Sequence, residues 1–174
     1  MADVAQQLLE AMEAVGYRPT IMLENANFYD TTFVETAGDI AQNTLVRVQF
    51  TPFELADTNP ATADYLEMME RYNPDGKVAL LGMQATSALL LFAQSAAACG
   101  SELTRTCVLD DASSVTDWTG GGLHVSQDPS TSTPGDCFAL MSVTGDGFVL
   151  DEELTGANEG IFNCDPSNIL SVSP

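Results

Sequence analysis

Between Lys77 and Gly100 the chain runs KVALLGMQATSALLLFAQSAAACG with no charged residue after Lys77, and no other stretch limits the possible folds so strongly. It is too long for a strand, rich in Ala and Leu, and closes on a Gly suited to a left-handed C′ position, so the sequence predicts one buried helix walled in by protein. A run of this length would also cross a bilayer. Against a span stand Gln84, Thr86, Ser87, Gln94 and Ser95, polar groups spread along the whole run. Lys77 is the only Lys in the chain, so no basic cluster marks a cytoplasmic flank.

Charge and cysteines narrow the setting. The chain carries 25 acidic residues against 5 basic ones, a formal net charge of −20, and such a surface repels phosphate backbones and anionic headgroups, which argues against nucleic-acid binding. The acidity is spread over many segments, as in a solvated surface, while 45% apolar residues across 174 positions suffice for a folded core. Cys99, Cys107, Cys137 and Cys164 lack CxxC spacing and His124 is the only His, so a zinc site would need thiolates from scattered positions. Two local bridges, Cys99 to Cys107 and Cys137 to Cys164, are the simpler pairing and imply an extracytoplasmic, oxidising setting. The chain opens on ADVAQQLLEAMEAVGY, a helical pattern without the basic n-region of a signal peptide.

Taken in order, Val4, Leu8, Ala11, Met12 and Val15 share one helical face, ended by Gly16 and Arg18-Pro19. Thr20–Leu23 suits a buried strand that opens into the polar, aromatic loop Glu24–Asp30. Helix, tight break and strand form half of a βαβ unit, and ligands sit at the carboxyl ends of strands in such sheets. Thr31–Ala37 is expected to be a short helix stopped by Gly38, Thr44–Phe50 a second strand, and Thr51–Thr58 a connector. Asn59-Pro60 gives a cap and a first-turn Pro for a helix with Ala61, Tyr65, Met68, Met69 and Tyr72 on its apolar face. Beyond Gly100, Leu103 to Val115 predicts another helix capped by Ser101 or Thr104. Cys137–Thr144 and Phe148–Leu150 form a hairpin about Gly145-Asp-Gly147. A composition shift near Trp118 separates an α/β part, residues 1–116, from a β-rich, loop-rich tail, residues 117–174.

Motifs for catalysis are sparse. A Ser nucleophile would need His124 as base, but no GxSxG elbow is present. Asp110-Asp111 and Glu152-Glu153 read as solvated pairs rather than as a general acid and base. Gly120-Gly-Gly122 follows a helix, where a phosphate cradle needs a strand before it, and no cofactor is expected. Ser142–Glu153 brushes against a calcium loop, with Gly147 sixth and Glu153 twelfth, but its first place is Ser and its flanks are strands, so a hairpin is expected and no metal. The loop Asn25–Asp30 is the better candidate site. Asn25 and Asn27 offer amide donors and acceptors, and Phe28 and Tyr29 flat apolar walls. The bland alternative is that Asn and Asp cap the following helix and Phe28 packs.

Four segments, VAQQLLEAMEAVGYRPTIMLENANFYD, NPATADYLEMMERYNPDGKVALLGMQATSALLLFAQSAAACGSELTR, WTGGGLHVSQDP and CFALMSVTGDGFV, together resemble the carboxyl-terminal half of the leucine-binding type of solute-binding protein that serves branched-chain amino-acid ABC transporters. The resemblance runs from roughly Val4 to Asn168. It implies an α/β fold of the type I periplasmic-binding-protein class, in part only, across residues 1–174, whose complete form has two lobes that close on a ligand. It further implies an extracytoplasmic receptor that binds a small amino-acid-like or amide-like solute without catalysis and hands it to a membrane permease. The alternative is a ligand-sensing or protein-interaction module on the same fold. By the resemblance, ligand contacts fall to Asn25, Asn27, Phe28 and Tyr29, with Leu81 a weaker candidate where the chain begins its return toward the cleft. Relatives that recognise amino acids place an acidic residue near Asn25 for the ammonium group; here Glu24 stands one place before it.

Overall fold

The computed structural model describes residues 2–131, 133 and 135–168. Two units interleave along the chain: one comprises Met1–Gln49 and Phe138–Asp165, the other Phe50–Cys137 and the segment from Pro166.

The first unit is built on a four-stranded sheet of order β1-β2-β3-β4: β1 Met22–Asn25, β2 Thr44–Val48, β3 Ala139–Thr144 and β4 Gly147–Leu150. β1 and β2 are parallel, in register Met22 with Thr44 through Asn25 with Arg47. The crossover between them carries helix α2, Thr31–Ala37, which starts where the Asp30 carboxylate accepts from Thr32 N at 2.9 Å and stops at Gly38, whose φ is +51°. β3 and β4 continue the sheet antiparallel, with Leu45 opposite Ser142 and Met141 opposite Leu150. β2 is the covered centre of the sheet: Val46 and Val48 are fully buried, as are Met141 and Ala139 on β3 and Phe33 on α2. Helix α1, Ala2–Ala14, packs against α2 and ends before Gly16, whose φ is +70°.

The expectation of a buried strand at Thr20–Leu23 is corrected on two counts. The paired residues lie two places later, and β1 is an edge strand whose burial alternates, leaving Leu23 58% exposed. Among the described residues β1 pairs with β2 alone, so one hydrogen-bonding edge stays open, and its side chains alternate in burial. A short helix α6, Glu152–Thr155, was not legible in the sequence; Asp151 caps it, and Thr155 Oγ1 accepts from Leu140 N at 2.9 Å.

Among the described residues the second unit holds three α-helices: α3 Pro60–Tyr72, α4 Leu80–Cys99 and α5 Arg105–Ser114. Asn59 caps α3 by accepting from Thr62 N at 3.0 Å, and Thr104 caps α5 by accepting from Cys107 N at 3.1 Å. The disulfide Cys99–Cys107 ties the end of α4 to α5, and Cys137 and Cys164 are disulfide-bonded as well. Phe50 and Thr51 run beside Leu123 and His124, and the rings of Phe50, Phe53 and Tyr65 follow one another at centroid spacings of 5.5 and 5.7 Å.

The long helix forms where expected, but it is not walled in. Its buried residues, Met83, Ser87, Ser95 and Cys99, recur every fourth position or a multiple of it, and two of the four are serines. Leu81, Leu89 and Phe92 are 70, 66 and 56% exposed. Gly82 approaches Tyr65 so closely that a Cβ there would lie 2.6 Å from the phenol oxygen, so the buried stripe is chosen by small residues that admit neighbours. Met83 is the large apolar side chain that this stripe buries, while Leu81, Leu89, Leu90 and Phe92 face outward. Leu80–Glu102 is also long and apolar enough to cross a bilayer by length and composition.

Candidate functional site

The parallel pair β1 and β2 ends at one edge of the sheet, and the chain bends away from β1 there. Asn25 causes the bend: its Oδ1 accepts from both the backbone N and the side-chain Nδ2 of Asn27 at 2.9 Å, capping a single turn over Ala26–Phe28. The bland role expected for this Asn, and for Asp30 one turn later, is thus fulfilled. It also leaves an open concavity of about 480 Å³ lined by Leu23, Glu24, Asn25, Ala26, Asn27, Arg47 and Gln49, within the size of pockets for small solutes. Its position beyond the carboxyl ends of two parallel strands is where open α/β sheets take ligands.

Two charged residues line this cleft. Burial pushes the Glu24 carboxyl above its ordinary value. Arg47 is half-buried, the exception in a strand whose other residues are buried, and its guanidinium lies 4.9 Å from the centroid of the Phe138 ring. Arg47 stands opposite Asn25 in the parallel register, so the two side chains leave the same face of the sheet. Sequence reasoning missed Arg47. The signal available was one basic residue inside an otherwise apolar, β-branched run.

The remaining sequence-designated residues go elsewhere. Phe28 and Tyr29 turn inward: Phe28 meets Phe33 edge-on at 5.7 Å and Tyr29 packs on Phe148 at 4.6 Å, 9 and 4% exposed. Leu81 belongs to the second unit, in the exposed first turn of α4. The cleft therefore gathers Asn25 and Asn27 with Glu24, Arg47 and Gln49, and not the two aromatic rings.

A second polar cluster lies inside the other unit. His124 Nδ1–H donates to the Val125 carbonyl at 2.7 Å, which makes Nε2 an acceptor for the Ser87 hydroxyl, also at 2.7 Å; Trp118 Nε1–H donates to Ser87 Oγ at 2.9 Å. Burial lowers the His124 pKa, opposed in part by the bond to Val125. The pair has the spacing of a nucleophile and its base. Ser87 is nevertheless 4% exposed, and a Cβ at Gly120 would sit 2.8 Å from its Oγ. The hydroxyl is enclosed and bonded on both sides, a satisfied core network. Cys137 and Cys164 are consumed in disulfide linkage and offer no thiolate to a metal.

A sequence profile described as periplasmic binding protein matches residues 1–147. No curated protein sequence matches the chain. Among solved structures, the fold is similar to a possible leucine/isoleucine/valine-binding protein from Rhodopirellula baltica at 12% identity and TM-score 0.67, covering 84% of this chain and 39% of that one. A leucine-binding protein from Thermotoga maritima matches at 11% identity and TM-score 0.66, covering 86 and 41%. A branched-chain amino-acid ABC transporter protein from Thermus thermophilus, solved with bound valine, matches at 14% identity and TM-score 0.61, covering 84 and 42%. The chain spans about two-fifths of the length of these structures.

Proposed function

The chain belongs to the periplasmic binding protein family, and on that premise we propose that it forms the solute-contacting part of an extracytoplasmic receptor of an ABC importer. Its solute is a small amino-acid-like or amide-like molecule, bound without a chemical step and passed to a membrane permease. The observation that carries this reading is the open cleft at the carboxyl ends of β1 and β2, which Asn25, Asn27 and Gln49 help to line. Amide groups both donate and accept, which suits a solute rich in N–H and C=O groups. The cleft is open on one side, so tight binding requires a second wall that closes over the solute.

The test is a titration of the isotopically labelled chain with L-amino acids and small primary amides, followed in nitrogen–proton correlation spectra. Resonances of Asn25, Asn27 and Gln49 are expected to move together, and Asn25→Ala is expected to weaken binding by about 1–3 kcal/mol, the usual cost of an abandoned polar partner. Spectra that stay still across the whole panel would remove the solute-binding reading. The protein-interaction alternative would then move ahead, since the outward apolar face of α4, with Leu81, Leu89 and Phe92 all more than half exposed, is the kind of patch a partner covers.

A further inference from the structure

Arg47 is difficult to account for as a structural residue. It interrupts the most buried strand of the sheet, where Thr44, Leu45, Val46 and Val48 are all buried and another aliphatic side chain would continue the pattern. Removing a guanidinium partly from water without an acidic partner costs free energy. Among the described residues Arg47 forms no ion pair, whereas Arg18, the other basic residue of the same unit, is bonded to Glu13. Its guanidinium lies on the Phe138 ring, and it lines the cleft with Asn25, Asn27 and Gln49.

We propose that Arg47 is an anion-recognition residue, and that the solute taken by this cleft carries a carboxylate group held by its guanidinium. The proposal rests on the solute-binding reading and narrows its substrate class. The ring of Phe138 restricts the guanidinium and so preorganises the planar fork that pairs with a carboxylate through two parallel N–H···O bonds. Asn25, beside Arg47 in the register, supplies a further amide at the same face. Local positive charge is also a necessity here, because a protein of net charge −20 repels anions from its surface as a whole. Glu24 lines the same cleft and is paired with Val46, one position earlier in the register than the Asn25–Arg47 pair.

The experiment compares 4-methylpentanoate with 4-methylpentanamide, an acid and amide of the same shape, and inorganic phosphate, at fixed ionic strength. Affinities come from nitrogen–proton spectra of the full chain that include the Arg47 Nε–H. We expect the acid to bind at least about tenfold tighter than the amide, as charge-assisted bidentate pairing implies. Arg47→Gln should erase that difference, because the acid loses far more affinity than the amide, and Arg47→Lys, which keeps charge but not the fork, should retain part of it. Equal affinity of acid and amide for the unaltered protein would overturn the proposal, as would an equal loss for both in Arg47→Gln. Phosphate binding as well as the acid would overturn the carboxylate assignment. If the amide binds, Asn25→Ala weakens it and Arg47→Gln changes nothing, the anion site falls while the solute-binding reading stands. Silence toward the acid, the amide and every L-amino acid would remove both.

Discussion

At the scale of single residues, the trio of Ser87, Trp118 and His124 governs how the second unit responds to acid. His124 accepts from Ser87 only while neutral, and burial depresses its pKa below the ordinary 6.5. A depressed value means that the unfolded chain takes up the proton first. The stabilisation is therefore complete above about pH 6.5 and is lost as pH falls through the depressed folded value. Thermal melts between pH 7.5 and 5.5 should show the unaltered protein losing more stability on acidification than His124→Gln; parallel curves would mean that the imidazole stays neutral or is unimportant. Gly120 closes over the same trio with φ +63°, and an added Cβ would meet Ser87 Oγ at 2.8 Å and His124 Nε2 at 3.1 Å. Gly120→Ala should cost about 2–4 kcal/mol in denaturant unfolding, combining left-handed backbone strain with a displaced buried hydrogen bond. Only part of this was legible in the sequence. His124 is conspicuous as the sole His, but its partner lies 37 positions away inside an apolar run, and no local pattern joins the two. Asn25 and Asn27 were legible because amides that cap and amides that bind share one chemistry at a strand end. Arg47 was not, because its meaning comes from a strand neighbour and from a ring 91 positions later in the sequence.

Among the elements, the helices were the most legible. The Thr31–Ala37 helix and its Gly38 stop, the Asn59-Pro60 start and the Gly100 end can all be seen in composition and period, and all occur as expected. What α4 buries was not legible, because a run apolar on every side has no period to choose a face. The choice fell to Ser87, Ser95 and the small Gly82, where neighbours come near. α5 poses the opposite problem. It has no buried residue, so apolar contact alone holds it weakly and the Cys99–Cys107 link, eight residues apart, does much of the fastening. Replacing both cysteines with Ser should lower stability by about 2–3 kcal/mol on loop-closure grounds. Hydrogen exchange across Arg105–Ser114 should accelerate while β2 stays protected; an unchanged exchange pattern would mean that packing suffices.

For the whole molecule, charge and topology act on different properties. With 25 acidic and 5 basic residues, the folded state concentrates negative charge that the unfolded chain spreads out, so added salt should stabilise it through screening. Melting temperature is expected to rise from low to moderate sodium chloride, and a flat response would show that the carboxylates are far enough apart to ignore one another. The α/β class was readable from the alternation of helix and strand. The interleaving of the two units was not, because it depends on which distant strand completes the sheet. That pairing has a consequence for synthesis. β2 gains its antiparallel neighbour only when residues 139–144 arrive, and Leu45 waits for Ser142. At roughly 5–20 residues per second on the ribosome, the most buried strand of the first unit stays unpaired on that side for about 5–20 s, while residues 50–137 of the second unit are translated. A nascent chain of this design is exposed to misassociation longer than its modest size suggests, and chaperone demand during translation follows from the order of its strands.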